Sequence, residues 1–248
     1  MGQPGTAVTT VKRLLLGALH LVLSAALWFI CAAVVWTLCL LHWHLDTATL
    51  VWPAVLSFFG GVLFFTLASK LLVVYVFGHE LTHWFMAKLF FRETGDVRVA
   101  TTGGSVAIQK PNIWIALAPY FIPFYTLLWL GCFGIFRFGY GPPNGTVLCI
   151  VSTGVGITYA FHVVLTMHSL LREQSDLRQH GYLLSLSLIL FFNLALLAVC
   201  LLSVSHQWGD GWEVLTGRVH AEGQEVTSAA IWSWEAFREG CRHLVEWW

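Results

Sequence analysis

The sequence predicts an all-α polytopic membrane protein of about five transmembrane helices, with a short β-hairpin between the second and third. Three observations carry this prediction. Of the 248 residues, 57% are hydrophobic and 10% charged, against roughly 25% charged in a soluble globular domain, so one soluble core cannot hide the apolar surface. The apolar residues fall in long runs, and about 20 such residues cover the ~30 Å hydrocarbon core of a bilayer. Lys and Arg, in turn, gather in alternate connections between the runs. The 13 basic and 13 acidic residues cancel and form no basic tract, which sets nucleic acid aside as a partner. Six cysteines stand singly, five of them in apolar runs and none in a Cys-x-x-Cys pair. They read as small buried hydrophobes.

The first run, Leu14–Leu41, follows Lys12 and Arg13 as a signal peptide would, but it is about twice the length of a 7–15-residue secretory h-region. It is read as a retained span. The second run lies within Val51–Phe91, and about 40 residues at ~1.5 Å each would reach roughly 60 Å, too far for one straight crossing. Either the chain breaks at Gly60-Gly61 into two short spans, or a single span continues past the bilayer towards Arg92. Charge favours the single span. Lys12, Arg13, Lys88, Arg92, Arg98, Lys110, Arg172 and Arg178 then share the side of the N-terminus, while His42–Leu50 and Phe138–Gly145 carry no Lys or Arg. By the positive-inside rule that side is expected to be cytoplasmic.

Between the second and third runs, Asp96–Lys110 places β-branched residues on both sides of Gly103-Gly104, the pattern of a hairpin. The third run is Ile113–Phe136, the fourth Thr146–Leu171 and the fifth Tyr182–Val204. From Ser205 the composition changes, with six of the 13 Trp set among charged residues, and Ser228–Trp248 is expected to form an interfacial helix. The chain thus divides into an N-terminal segment with the first span (1–50), a membrane-embedded core (51–204) and a Trp-rich interfacial tail (205–248).

At the end of the second run stands Gly78-His79-Glu80-Leu81-Thr82-His83. On a helix, residues i and i+4 share a face, so His79 and His83 can turn ring nitrogens to one zinc ion with Glu80 beside them. A zinc ion with an open position acidifies water and polarises a carbonyl, and a neighbouring carboxylate such as Glu80 can then serve as general base. Chance predicts only about 0.02 such motifs in a chain with 11 His and 9 Glu. Ionisable residues inside a membrane segment also usually mark a functional path or site.

A catalytic zinc needs a third protein ligand. Asp176, in the connection between the fourth and fifth runs, is separated from the motif by two further crossings and so faces the same side. Glu173, His180, His168 and His162 compete for this role, whereas His20, His42, His44, His206, His220 and His243 are placed at or beyond the opposite face.

With these residues in view, the sequence resembles the site-2 protease class of intramembrane zinc metalloproteases. The resemblance rests on Gly78–His83 in an apolar helix, on Gly103-Gly104-Ser105-Val106, and on Ala116-Leu117-Ala118-Pro119 opening the next span, and it covers about Leu71–Val204. It implies one zinc ion per chain held by His79, His83 and Asp176, with Glu80 as the base and a transmembrane protein segment as substrate. The family usually presents its aspartate as Leu-Asp-Gly after an upstream Asn and Pro. Here Ser175 precedes Asp176 and Leu177 follows it.

The expected function is therefore intramembrane peptide-bond hydrolysis, with the hairpin edge binding unwound substrate as an added strand. The alternative is a membrane scaffold or adaptor in which the motif holds a structural zinc, or none. A transporter using His162 and His168 would be expected to show polar residues in several spans, whereas the third run has Tyr120 and Tyr125 but no carboxylate and Asn193 is the only amide of the fifth.

Overall fold

The structure, a computed structural model, describes residues 4–43, 45–67, 72–100, 103–171, 175–205 and 207–246. Two units are present, Met1–Ser24 with His44–Asn193, and Ala25–Trp43 with Leu194–Trp248. Helices α1 (Pro4–Leu40) and α8 (Tyr182–Ser205) each contribute residues to both.

In the first unit a π-helical turn, Thr47–Val51, leads into α2 (Trp52–Leu67). Asp46 caps the turn by accepting the Ala48 and Thr49 N–H groups at 3.0 and 3.1 Å. The Thr49 hydroxyl is the main cause holding its carboxyl below the usual range, followed by the Thr49 N–H. In the second apolar run the alternative of a break at Gly60-Gly61 is corrected, since both glycines lie inside α2; residues 68–71 are outside the described residues, and α3 (Leu72–Leu89) is the next described helix. The physical role of Gly61 is close approach. A Cβ there would stand 2.9 Å from Ala160 Cβ on α6 (Gly145–Leu170), and one at Gly156 would overlap Ser57 Oγ and Ala54 O of α2. Small residues on both helices thus bring their backbones together, the usual way apolar helices associate within lipid.

After α3 come the antiparallel strands β1 (Thr94–Ala100) and β2 (Gly103–Ile108), paired Val97 to Val106 and Ala100 to Gly103. The third run is broken. Its first part, α4 (Ile113–Phe121), meets α5 (Phe124–Tyr140) at 72° across Ile122-Pro123. Pro123 has no N–H to continue the helix, and proline also disfavours helical geometry at the residue before it. Asn112 and Asn144 cap α4 and α6 through the Ile115 and Val147 N–H groups, each at 2.9 Å. The short helix α7 (Ser175–Gln179) connects to α8. Leu117, Tyr120, Leu177 and Ile189 form one buried cluster, tying α4, α7 and α8 together, while Tyr75, Phe161 and Leu165 join α3 to α6 in another.

In the second unit α9 (Trp208–Glu246) begins 20 residues before the expected Ser228. Gln207 Nε2 donates to His42 O at 2.8 Å, and the Arg218 guanidinium lies over Trp36, 4.9 Å from its ring centre. Trp208, Trp212, Val219 and Val226 recur at helical spacing and are all exposed.

Among the described residues four helices are long and apolar enough to cross a membrane (Val11–Leu40, Thr47–Leu67, Gly145–Leu170 and Tyr182–Ser205), or five if the bent pair α4–α5 is one span. Leu56, Phe59, Leu63, Phe64 and Leu67 of α2 lie on the outside. Such a surface suits lipid better than water and is compatible with a multi-pass membrane protein. Of the cysteines, Cys31 alone among the described side chains is buried, and Cys39, Cys132 and Cys200 lie on outward faces. The expectation of buried hydrophobes is corrected for those three.

Candidate metal centre

The third and fourth turns of α3 carry His79, Glu80 and His83. The two histidine rings stand edge to face, 4.9 Å between centres. Each needs an outer contact to fix its orientation, and for His83 the sequence of α4 supplies one. Pro119 has no N–H, so Ile115, four residues earlier, lacks the usual helical partner for its carbonyl. That carbonyl instead accepts His83 Nδ1–H at 2.8 Å. A carbonyl can only accept, so the proton sits on Nδ1 and the lone pair of Nε2 is left to face inward.

His83 Nε2 lies 3.7 Å from Asp176 Oδ2, and the same oxygen accepts the Tyr120 hydroxyl at 3.2 Å. Tyr120 is fully buried, its ring is edge-on to His79 at 5.2 Å, and its backbone carbonyl accepts Asn193 Nδ2 at 3.1 Å. The His79 Nδ1 atom is buried and finds no hydrogen-bond partner among the described residues.

One potential ligand atom each from His79, His83 and Asp176 lie within 4.8 Å of one another. Ligands bound at ~2.0–2.2 Å in tetrahedral geometry stand about 3.3–3.6 Å apart, so the trio fits a metal ion after a contraction of at most about 1.5 Å. Two imidazoles and a carboxylate suit zinc among the common divalent ions, and as three ligands they leave the fourth position open.

Glu80 is buried beneath the hairpin. A Cβ at Gly104 of β2 would stand 2.6 Å from both Glu80 Cγ and Val76 Cγ1, so only glycine lets the strand lie this close to the carboxylate. Gly78 plays a similar part, because a Cβ there would meet the Tyr125 ring at 2.7 Å. The Tyr125 hydroxyl donates to Val74 O. Beside His79, Tyr75, Thr82, Phe161 and His162 border a cavity of about 20 Å³, large enough for a single water molecule.

Among the rival third ligands, Glu173 lies outside the described residues. His162 is buried next to the cavity just described, and neither it nor His168 nor His180 joins the trio. Burial holds the His180 imidazole below its ordinary value against the opposing pull of Asp176, and His20 adds to the lowering. The placement of His20 is corrected: its Nδ1 stands 3.0 Å from where a Cβ of Gly181 would be, beside the connection that carries Asp176. It lies only six residues after Leu14, the start of the first apolar run, in the part of α1 that follows Lys12 and Arg13.

Sequence reasoning did not assign roles to Ile115, Tyr120 or Gly104. Ile115 acts through its backbone, which leaves no side-chain signal, although a proline four residues downstream is a mark that one carbonyl is free. Neither a family model, nor a curated protein, nor a solved structure matches the chain.

Proposed function

We propose that this protein is an intramembrane zinc metalloprotease, akin in mechanism to the site-2 protease class, hydrolysing peptide bonds of substrate segments in or near the membrane. The observation that carries the reading is the convergence of His79, His83 and Asp176 ligand atoms within 4.8 Å, with Glu80 at the next position on the same helix as His79. These three residues would hold one zinc ion per chain. Zinc, when bound, supplies Lewis acidity and lowers the pKa of water in its open position to about 7.

The remaining work falls to the chain. Glu80 takes a proton from the attacking water and returns it to the leaving amine. The Ile115 carbonyl keeps the His83 proton on Nδ1. A two-stranded sheet leaves an edge of each strand without a strand partner among the described residues, and a transmembrane protein segment that unwinds would add to such an edge through backbone hydrogen bonds. The distribution of Lys and Arg supports a cytoplasmic N-terminus and a site on that same side.

The test compares new peptide N-termini in membranes of cells expressing the wild type or Glu80→Gln. The variant is expected to keep its metal and to lose cleavage by ~10²-fold or more. A cellular function that survives Glu80→Gln intact would indicate a scaffold and overturn the reading.

A further inference from the structure

A zinc ligand on a long transmembrane helix is held in place by the helix. Asp176 stands on α7, which is only five residues long. Two contacts on α4 fix it instead. Leu177, fully buried, inserts between Leu117, Tyr120 and Ile189, which anchors the backbone of α7. The Tyr120 hydroxyl then reaches Asp176 Oδ2 at 3.2 Å.

Tyr120 is itself rigidly placed. Its ring is fully buried and packs edge-on to His79 at 5.2 Å, and its carbonyl is held by Asn193. A buried phenol usually finds a hydrogen-bond partner, and here that partner is the oxygen lying 3.7 Å from His83 Nε2. A carboxylate oxygen has two lone-pair sites. One is directed to Tyr120, and a cation between the histidines would take the other.

We propose that Tyr120 is the positioning residue of the third metal ligand: its hydroxyl fixes the rotamer of Asp176, and its ring limits the rotation of His79. It replaces the framework that a ligand on a long helix would have. The inference rests on reading His79, His83 and Asp176 as a metal site.

The test uses the full chain in detergent, stripped of metal by a chelator and titrated with zinc against a chromophoric competitor. Tyr120→Phe keeps the ring and removes only the hydroxyl, so it is expected to weaken zinc binding by ~10–100-fold, the usual cost of losing an outer hydrogen bond to a ligand. In an Asp176→Ala background the same change is expected to have no further effect, since the hydroxyl then has no ligand to orient. Cobalt absorption at saturation provides the second readout, with Tyr120→Phe expected to reach the wild-type spectrum at higher cobalt concentration. If the wild type binds one zinc that requires Asp176 but Tyr120→Phe binds it equally well, the inference fails and the metal site stands. An undiminished effect of Tyr120→Phe in the Asp176→Ala background also overturns it. A wild type that binds no zinc overturns both.

Discussion

At the scale of single residues, the site depends on atoms that a motif search does not weigh. The spacing of His79 and His83 was legible because it follows from helical periodicity alone. The groups that orient them come from 32 and 56 residues away, as Ile115 O on His83 and Tyr120 on Asp176. Pro119 connects the two levels, because it removes an N–H and so frees the Ile115 carbonyl. Replacing Pro119 with Ala restores an N–H that competes for that carbonyl. Zinc affinity is expected to fall by roughly 3–10-fold, below the full cost of losing an outer-shell partner, because a carbonyl accepts two hydrogen bonds. Unchanged affinity in a competition titration would show that the His83 contact contributes nothing. Gly104 makes the complementary case. A methyl group at 2.6 Å from Glu80 Cγ must displace either the strand or the carboxylate, so Gly104→Ala is expected to reduce turnover at least tenfold while zinc content stays at the wild-type level. Full turnover in that variant would mean that the hairpin need not lie so near Glu80.

At the scale of elements, the sequence located α1, α6 and α8 within a few residues wherever an apolar run was the right length and uninterrupted, apart from an α1 start ten residues earlier. The Gly60-Gly61 pair and the third run were misleading for opposite reasons. Gly60-Gly61 suggested a break, but Gly61 serves helix contact, and a Cβ on Gly60 would meet nothing within 4 Å. In the third run the apolar pattern ran across Ile122-Pro123 and hid a 72° bend, which the proline itself signalled. The two helical glycines accordingly differ in their tolerance. Gly156→Leu is expected to destabilise the α2–α6 pair by about 1–3 kcal/mol through overpacking, and Gly60→Ala to remain within about 1 kcal/mol of the wild type. Unfolding in mixed detergent measures both, and equal stabilities would contradict the close helix approach. Deleting Gly103–Ala107 of β2 is expected to abolish cleavage with zinc retained, and unchanged cleavage would remove the hairpin from substrate binding.

At the scale of the whole molecule, composition alone identified long apolar helices with polar connections, and four or five such helices are present among the described residues. Orientation in a membrane is a proposal that rests on charge. Lys88, Arg92 and Lys110 flank the metal centre and the hairpin, and the connection at 138–145 carries none. Single cysteines at Lys110 and Asn144, in a chain freed of native cysteines, are therefore expected to react with an impermeant reagent from opposite sides, with Lys110 on the cytoplasmic side. Labelling of both from one side would contradict that topology. The tail illustrates the limit of compositional reading. Its tryptophans marked a change of environment, but its helix starts at Trp208 because the apolar positions Trp208, Trp212, Val219 and Val226 already follow a helical period.

The most direct test is bound metal per chain in purified wild type and in the His79→Ala, Asp176→Ala and Glu80→Gln variants. Near one zinc per chain is expected in the wild type and Glu80→Gln, with loss in the other two. Metal absent from the wild type, or fully retained after Asp176→Ala, would contradict a centre built from His79, His83 and Asp176.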